Sequence, residues 1–154
     1  MFNSRSLRNK TQELSDLLNS ELYDIICVTE TWLTPTDCIA AQLYSVYRHD
    51  RTNGAGGGVC ILTKNSTISA SAVKISDIFS DIEITAVDVL NAKVAVRVIN
   101  IYRPPSSDTD SNAILVMKRL IECLHILCEV NATIIITGDL NLPFIDWSNP
   151  LVFL

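Results

Sequence analysis

Three apolar runs in this chain each finish in a polar residue able to do chemistry. Ile25-Ile26-Cys27-Val28-Thr29 runs into Glu30, and Val98-Ile99-Asn100-Ile101 runs into Tyr102. Ile134-Ile135-Ile136-Thr137-Gly138 runs into Asp139, with Asn141 shortly after. Buried strands have no packing reason to end this way, and open α/β sheets collect ligand-binding groups at the carboxyl ends of their strands. The repetition describes an oxygen-rich pocket for a hard cation and a phosphate. A carboxylate is costly when buried without a partner. Mg²⁺ resolves that cost, because it takes one or two carboxylates and otherwise water and phosphate oxygens. Glu30 is therefore either a cation ligand or an ordinary strand-end carboxylate at the surface. Within Gly138-Asp139-Leu140-Asn141, Asp139 can accept a proton from water or hold the asparagine. Asn141 can donate to a phosphate oxygen without adding negative charge. The same four residues also suit a plain turn. Tyr102 is either a phenol donor toward a phosphoryl oxygen or a half-buried aromatic closing the sheet.

Other candidates drop out. Gly54, Gly56, Gly57 and Gly58 precede the strand-like Val59-Cys60-Ile61-Leu62. A phosphate-cradling loop follows a strand and opens a helix, so this run reads as a hairpin turn. His125 sits inside a long helical pattern and His49 in a charged loop with Arg48 and Arg51. Neither belongs to a Ser/His/Asp arrangement. The five cysteines, at 27, 38, 60, 123 and 128, have neither zinc-ligand spacing nor the look of a disulfide framework. They point to a reducing compartment.

The elements that must position the strand-end residues follow from periodicity. Residues 6–20 predict an amphipathic helix with Leu7, Leu14, Leu17 and Leu18 on one face and Ser6 as its cap. Residues 25–29 are apolar on both faces, as a central strand is. Residues 67–75 carry a weak strand signal. The stretches 82–89 and 94–101 predict an antiparallel pair. A second helix starts at Asp110 or Ser111 and runs to about Glu129; its nearly continuous apolar surface predicts close packing. Residues 133–137 predict a last strand. The mixture of α and β has no strict βαβ alternation, no repeat and no linker, which predicts one domain over 1–154.

Of the 154 residues, 48% are hydrophobic and 19% charged, and the formal net charge is −5. An acidic chain does not grip nucleic acid by bulk positive charge. Arg5, Arg8, Lys10, Arg48, Arg51 and Arg103 would form a basic face only if the fold gathered their loops. No run reaches the roughly 20 apolar residues of a membrane span, and the N-terminus has no signal-peptide core.

Taken together, these segments resemble the endonuclease/exonuclease/phosphatase superfamily. More narrowly, they are similar to the endonuclease domain of non-LTR (LINE-type, CR1/jockey-like) retrotransposons. The matching stretches are Asn3 to Lys10, Thr29-Glu30-Thr31-Trp32-Leu33, Tyr47-Arg48-His49-Asp50-Arg51 before Gly56-Gly57-Gly58-Val59, Ile101-Tyr102-Arg103-Pro104-Pro105, and Gly138 to Pro143 with Asp146-Trp147. They occur in the family's order.

The resemblance implies an α/β (α+β) four-layer sandwich, two packed β-sheets flanked by helices. It implies a Mg²⁺- or Mn²⁺-dependent phosphodiesterase that nicks DNA. By carry-over Glu30 is the metal ligand and Asn3 lines the pocket. Tyr102 stabilises the transition-state phosphate, Asp139 handles a proton, and Asn141 orients the phosphate. Arg51 and Arg103 are carried over as contacts to the DNA backbone. A reverse transcriptase on the same parent chain and a nuclear location go with that type. A phosphatase of the same superfamily acting on a phosphoinositide or another small phosphate is the alternative, as is a non-enzymatic remnant or binding module. The family's terminal Ser-Asp-His has no counterpart here, and only Met1-Phe2 precedes the Asn3 motif. The expectation is a fold incomplete at both ends, with little nuclease activity of its own.

Overall fold

A computed structural model of the chain describes residues 1–52, 54–105 and 111–142. The expected Pro143 and Asp146-Trp147 part of the last motif lies outside the described residues. The elements are β1 (Phe2–Asn3), α1 (Thr11–Asn19), β2 (Ile25–Thr29), β3 (Tyr44–His49), β4 (Val59–Lys64), β5 (Ala70–Ala72), β6 (Glu83–Val89), β7 (Val96–Tyr102), α2 (Ser111–Cys128) and β8 (Thr133–Asp139). A short 3₁₀ turn, Asp77–Phe79, precedes β6.

Two four-stranded sheets result, ordered β1-β2-β4-β3 and β5-β6-β7-β8. The pairs β1/β2 and β7/β8 are parallel and the rest antiparallel. Cys27 and Ile61 of the first sheet pack on Val87 and Val98 of the second. Leu14 and Leu18 of α1 cover the other face of the first sheet, against Ile26, Val28, Cys60 and Leu62. Leu120, Cys123 and Leu127 of α2 cover the second sheet at Ile84, Ala86, Ile99 and Ile101. The order helix–sheet–sheet–helix is the expected four-layer sandwich. The central strands β2, β4, β6 and β7 are largely buried on both faces, which explains their apolar runs; the edge strand β8 is equally apolar yet leaves Ile135 and Ile136 about half exposed.

A buried polar side chain ties the two sheets together at their interface. The fully buried Asn100 of β7 donates through Nδ2 to the carbonyls of Val28 (2.9 Å) and Cys60 (3.0 Å). It thereby sets β7 against β2 and β4 two residues short of Tyr102 and Glu30.

Four details depart from the sequence reading. Helix α1 starts at Thr11, and Ser6 does not cap it: Ser6 has φ 87° and its N–H donates to the Glu30 carbonyl (2.9 Å). Leu7 is buried in the core, but from a loop. Arg48 and His49 belong to strand β3, not to a loop. Helix α2 buries one face only, and Ile114, Leu115, Ile121 and Ile126 are 47–59% exposed. Among the described residues no helix is long and apolar enough to cross a membrane.

Candidate active site

Each sheet brings its strand ends to a common edge. In the first sheet β2 stops at Thr29, and the chain turns at Glu30 and Trp32, both in the left-handed region (φ 54° and 55°). The loop after Asn3 runs beside this corner. Ser4 and Leu7 donate from their backbones to the carbonyls of Thr29 and Thr31, each at 2.9 Å, and Ser4 Oγ donates to the Glu30 carbonyl at 2.8 Å. Asn3 and Glu30 are thus held side by side by backbone bonds.

In the second sheet the parallel register of β7 and β8 sets Tyr102 opposite Asp139. Gly138, at φ 140°, permits it: a Cβ there would overlap the Ile101 carbonyl. Past the strand, Arg103 N donates to the Asp139 carbonyl (2.9 Å). Asn141, at φ 47°, donates its backbone N–H to Asp139 Oδ1 (3.2 Å) and Nδ2 to the Arg103 carbonyl (2.7 Å).

The two edges meet at Asn3. Its Nδ2 donates to Glu30 Oε1 at 2.6 Å and to Asp139 Oδ2 at 3.0 Å. Asn3 Oδ1 accepts from the Arg5 backbone (3.0 Å), which orients the amide. Trp32 Nε1 donates to the second Glu30 oxygen at 3.3 Å. Asn3, Glu30, Asp139 and Asn141 therefore form one connected polar group, with Tyr102 against it. Of the six non-glycine residues at positive φ among the described residues, Arg5, Ser6, Glu30, Trp32 and Asn141 lie in these segments. Such strain gathers where the surrounding structure over-determines a functional constellation.

Tyr102 is 7% exposed. Burial is the main cause that pushes its phenol up to about 12, and the nearby Glu30 charge adds to it, while Arg51 acts the other way. The hydroxyl stays protonated across the physiological range and can donate to an anion without becoming one. A cavity of about 310 Å³ opens on its far side, bounded by Arg51, Glu83, Arg103 and Asp81.

The two arginines expected at a DNA backbone turn inward. Arg103 is 5% exposed, and its Nη1 donates to the carbonyls of Leu140 (3.3 Å) and Asn141 (3.1 Å). Arg51 forms an ion pair with Glu83 and lies with Cζ 5.9 Å from the Tyr102 ring centroid. Arg8 is paired with Asp37 and Arg48 with Asp50. Most of the cations of the expected basic face are engaged with partners of their own.

Glu83 escapes a reading of the sequence. It is one of several acids around β6, and its importance lies in a register the sequence does not print: it stands opposite Tyr102 on β7. Trp32 was legible only as part of a motif.

The donor chemistry suits a hard divalent cation. Two carboxylates face one another across a single amide nitrogen, and all the candidate ligands are oxygens. Among the described residues no three His, Cys, Asp or Glu side chains form a metal-binding group.

Comparison with known proteins gives the family and the fold. The model of the Endonuclease/Exonuclease/phosphatase family matches residues 2–151. Among solved structures, the chain is similar to the 3′ phosphatase NExo from Neisseria bound to a product DNA hairpin (TM-score 0.68, 19% identity, 94% of this chain and 57% of that one). It is similar to an AP endonuclease from Archaeoglobus fulgidus (0.64, 21%, 91% and 55%). It is also similar to the endonuclease domain of TRAS1, a telomere-specific non-LTR retrotransposon (0.61, 13%, 91% and 58%). The chain thus spans a little over half the length of these structures, and identities this low speak for the fold. No curated protein sequence matches it.

Proposed function

The chain belongs to the endonuclease/exonuclease/phosphatase family, and from that membership we propose that it is part of a DNA-cleaving phosphodiesterase of the non-LTR (LINE-type, CR1/jockey-like) retrotransposon kind. The observation that carries the reading is the Asn3 amide held between Glu30 and Asp139, at 2.6 and 3.0 Å. It joins the acids of two sheets into one site.

In this reading Glu30 holds Mg²⁺ or Mn²⁺, with Asn3 and Asp139 lining the same pocket. When bound, the ion supplies positive charge to the phosphoryl and leaving oxygens. Asp139 holds or moves a proton at the attacking water. Its carboxylate is aimed by the Asn141 N–H and the Asn3 amide. One N–H of the Asn141 amide is fixed on the Arg103 carbonyl, which leaves the other to donate to a phosphate oxygen. The Tyr102 hydroxyl donates to a second phosphate oxygen, where charge grows as water attacks. Arg103 and Arg51, engaged inside the protein, hold the pocket walls rather than the DNA backbone. A reverse transcriptase on the same parent chain and a nuclear location belong to the proposal.

The test has two stages. Mn²⁺ binding, followed by water-proton relaxation, is expected in the intact chain and lost in Glu30→Ala. Nicking of supercoiled plasmid with Mg²⁺ is expected to be weak and to vanish in the same variant. Hydrolysis of a phosphoinositide with the plasmid untouched would overturn the DNA assignment. Failure to bind Mn²⁺ would overturn the metal site and favour a binding module.

A further inference from the structure

The glycine run does more than turn the chain between β3 and β4. On one side it pairs with the Glu30 corner. Trp32 N donates to the Gly57 carbonyl at 2.8 Å and Thr31 N to the Gly58 carbonyl at 3.3 Å. These bonds carry the ladder past the end of β2, to the two residues that follow Glu30.

On its other side the run reaches the second sheet through Glu83. Gly58 N donates to Glu83 Oε2. Arg51, from the start of the same loop, donates through Nε to Glu83 Oε1 at 2.8 Å, and through Nη2 to the same oxygen. Its Nη1 donates to the Ala55 carbonyl at 3.1 Å. Glu83 pairs in register with Tyr102, and the Arg51 guanidinium lies beside the Tyr102 ring.

The packing leaves no slack. At Gly57 (φ +69°) a Cβ would overlap the Glu83 carboxylate and the Arg51 guanidinium, and at Gly58 (φ +85°) it would overlap Thr31 Oγ1. Glu83 is 7% exposed. Removing two charges from water is costly, and apolar replacements of a buried ion pair are often as stable. Stability alone therefore does not account for the pair, whereas geometry does.

We propose that Arg51 and Glu83 are positioning residues: they clasp the glycine loop so that the Glu30–Trp32 corner of one sheet and Tyr102 of the other keep a single relative placement. The inference rests on the reading of Glu30 and Tyr102 as partners at one phosphate. Its test needs no catalysis.

The full chain is labelled with 3-fluorotyrosine and ¹⁵N-tryptophan. Trp147→Phe leaves Trp32 as the sole indole, and Tyr102→Phe assigns the Tyr102 fluorine signal. Glu83→Gln is expected to shift the Trp32 indole and Tyr102 fluorine resonances together, while the signals of Tyr23 and Tyr44 stay in place. Arg51→Lys keeps the charge but loses the fork, and is expected to move both resonances in the same direction by less. Mn²⁺ affinity should fall about tenfold in Glu83→Gln, as for other groups that orient a ligand from behind. Movement of Tyr102 without Trp32, or of neither, overturns the clasp. If Glu83→Gln does not fold, Arg51→Lys decides by the same two resonances. If the parent chain binds no Mn²⁺, the metal reading fails and the paired resonances still decide the coupling.

Discussion

Glu30 follows the last residue of β2 and Asp139 ends β8 of the other sheet, yet their carboxylates accept from the same nitrogen of Asn3. Two like charges converge there because an amide donor stands between them. In the absence of a cation, that donor is what makes the arrangement tolerable. Asn3→Ala should therefore destabilise the metal-free protein by about 1 kcal/mol, the net contribution of a typical hydrogen bond, since both bonds are exposed to solvent. Added Mn²⁺ should narrow the gap, since the cation takes over the neutralisation. Urea unfolding with and without Mn²⁺ measures both effects. An unchanged midpoint in the metal-free variant would show that the bridge contributes nothing.

Tyr102 gives a pH prediction with a definite sign. Its folded phenol is pushed up to about 12, above the ordinary value of 10.0. The folded state therefore holds this proton more tightly than the unfolded state. The stabilisation is fully present below pH 10 and is lost as pH rises through 12. Spectrophotometric titration should show a tyrosine that ionises last, absent in Tyr102→Phe. The same variant should lose less stability than the parent between pH 10 and 12. Equal alkaline slopes would contradict the assignment.

Asn100 separates two kinds of cost. Asn100→Ala removes the donor to Val28 and Cys60 and opens a cavity between the sheets, so about 2–3 kcal/mol should be lost. Asn100→Leu fills the same volume and also removes Oδ1, which is buried without a hydrogen-bond partner. It should cost less than the alanine variant. Denaturant midpoints of the two variants make the comparison, and a leucine variant weaker than alanine would refute it.

The strand-end logic places Glu30, Tyr102, Asp139 and Asn141 at one sheet edge because β2, β7 and β8 carry apolar runs close to their ends, and the change in polarity marks that edge. It did not find Glu83, whose partner Arg51 is distant in sequence and whose placement depends on the β6/β7 register. Strand β3 escaped for another reason: after Tyr44 its residues are only partly buried, so Tyr47-Arg48-His49 carry no apolar signature. The start of α1 is not legible in the leucine spacing, because Leu7 continues that spacing while being buried from a loop that bonds to Thr31. The partners of the arginines are not legible either, because a charge in a sequence shows no partner: Arg103 donates to two backbone carbonyls and Arg51 pairs with Glu83.

Helix α2 supplies the last prediction, because its apolar sequence hides two different faces. Leu120 is 3% exposed and packs on the second sheet, whereas Ile121, one residue on, is 59% exposed. Leu120→Ala should cost 2–5 kcal/mol, the usual range for emptying a buried leucine site. Ile121→Lys should leave stability within about 0.5 kcal/mol, as surface changes do. Exposed apolar patches also drive association, and Ile114, Leu115 and Ile126 stand on the same helix at similar exposure. A double variant, Ile121→Lys with Ile126→Glu, should therefore lower light scattering at high protein concentration without moving the unfolding midpoint. Loss of stability in that double variant would mean that the outer face of α2 is covered in solution.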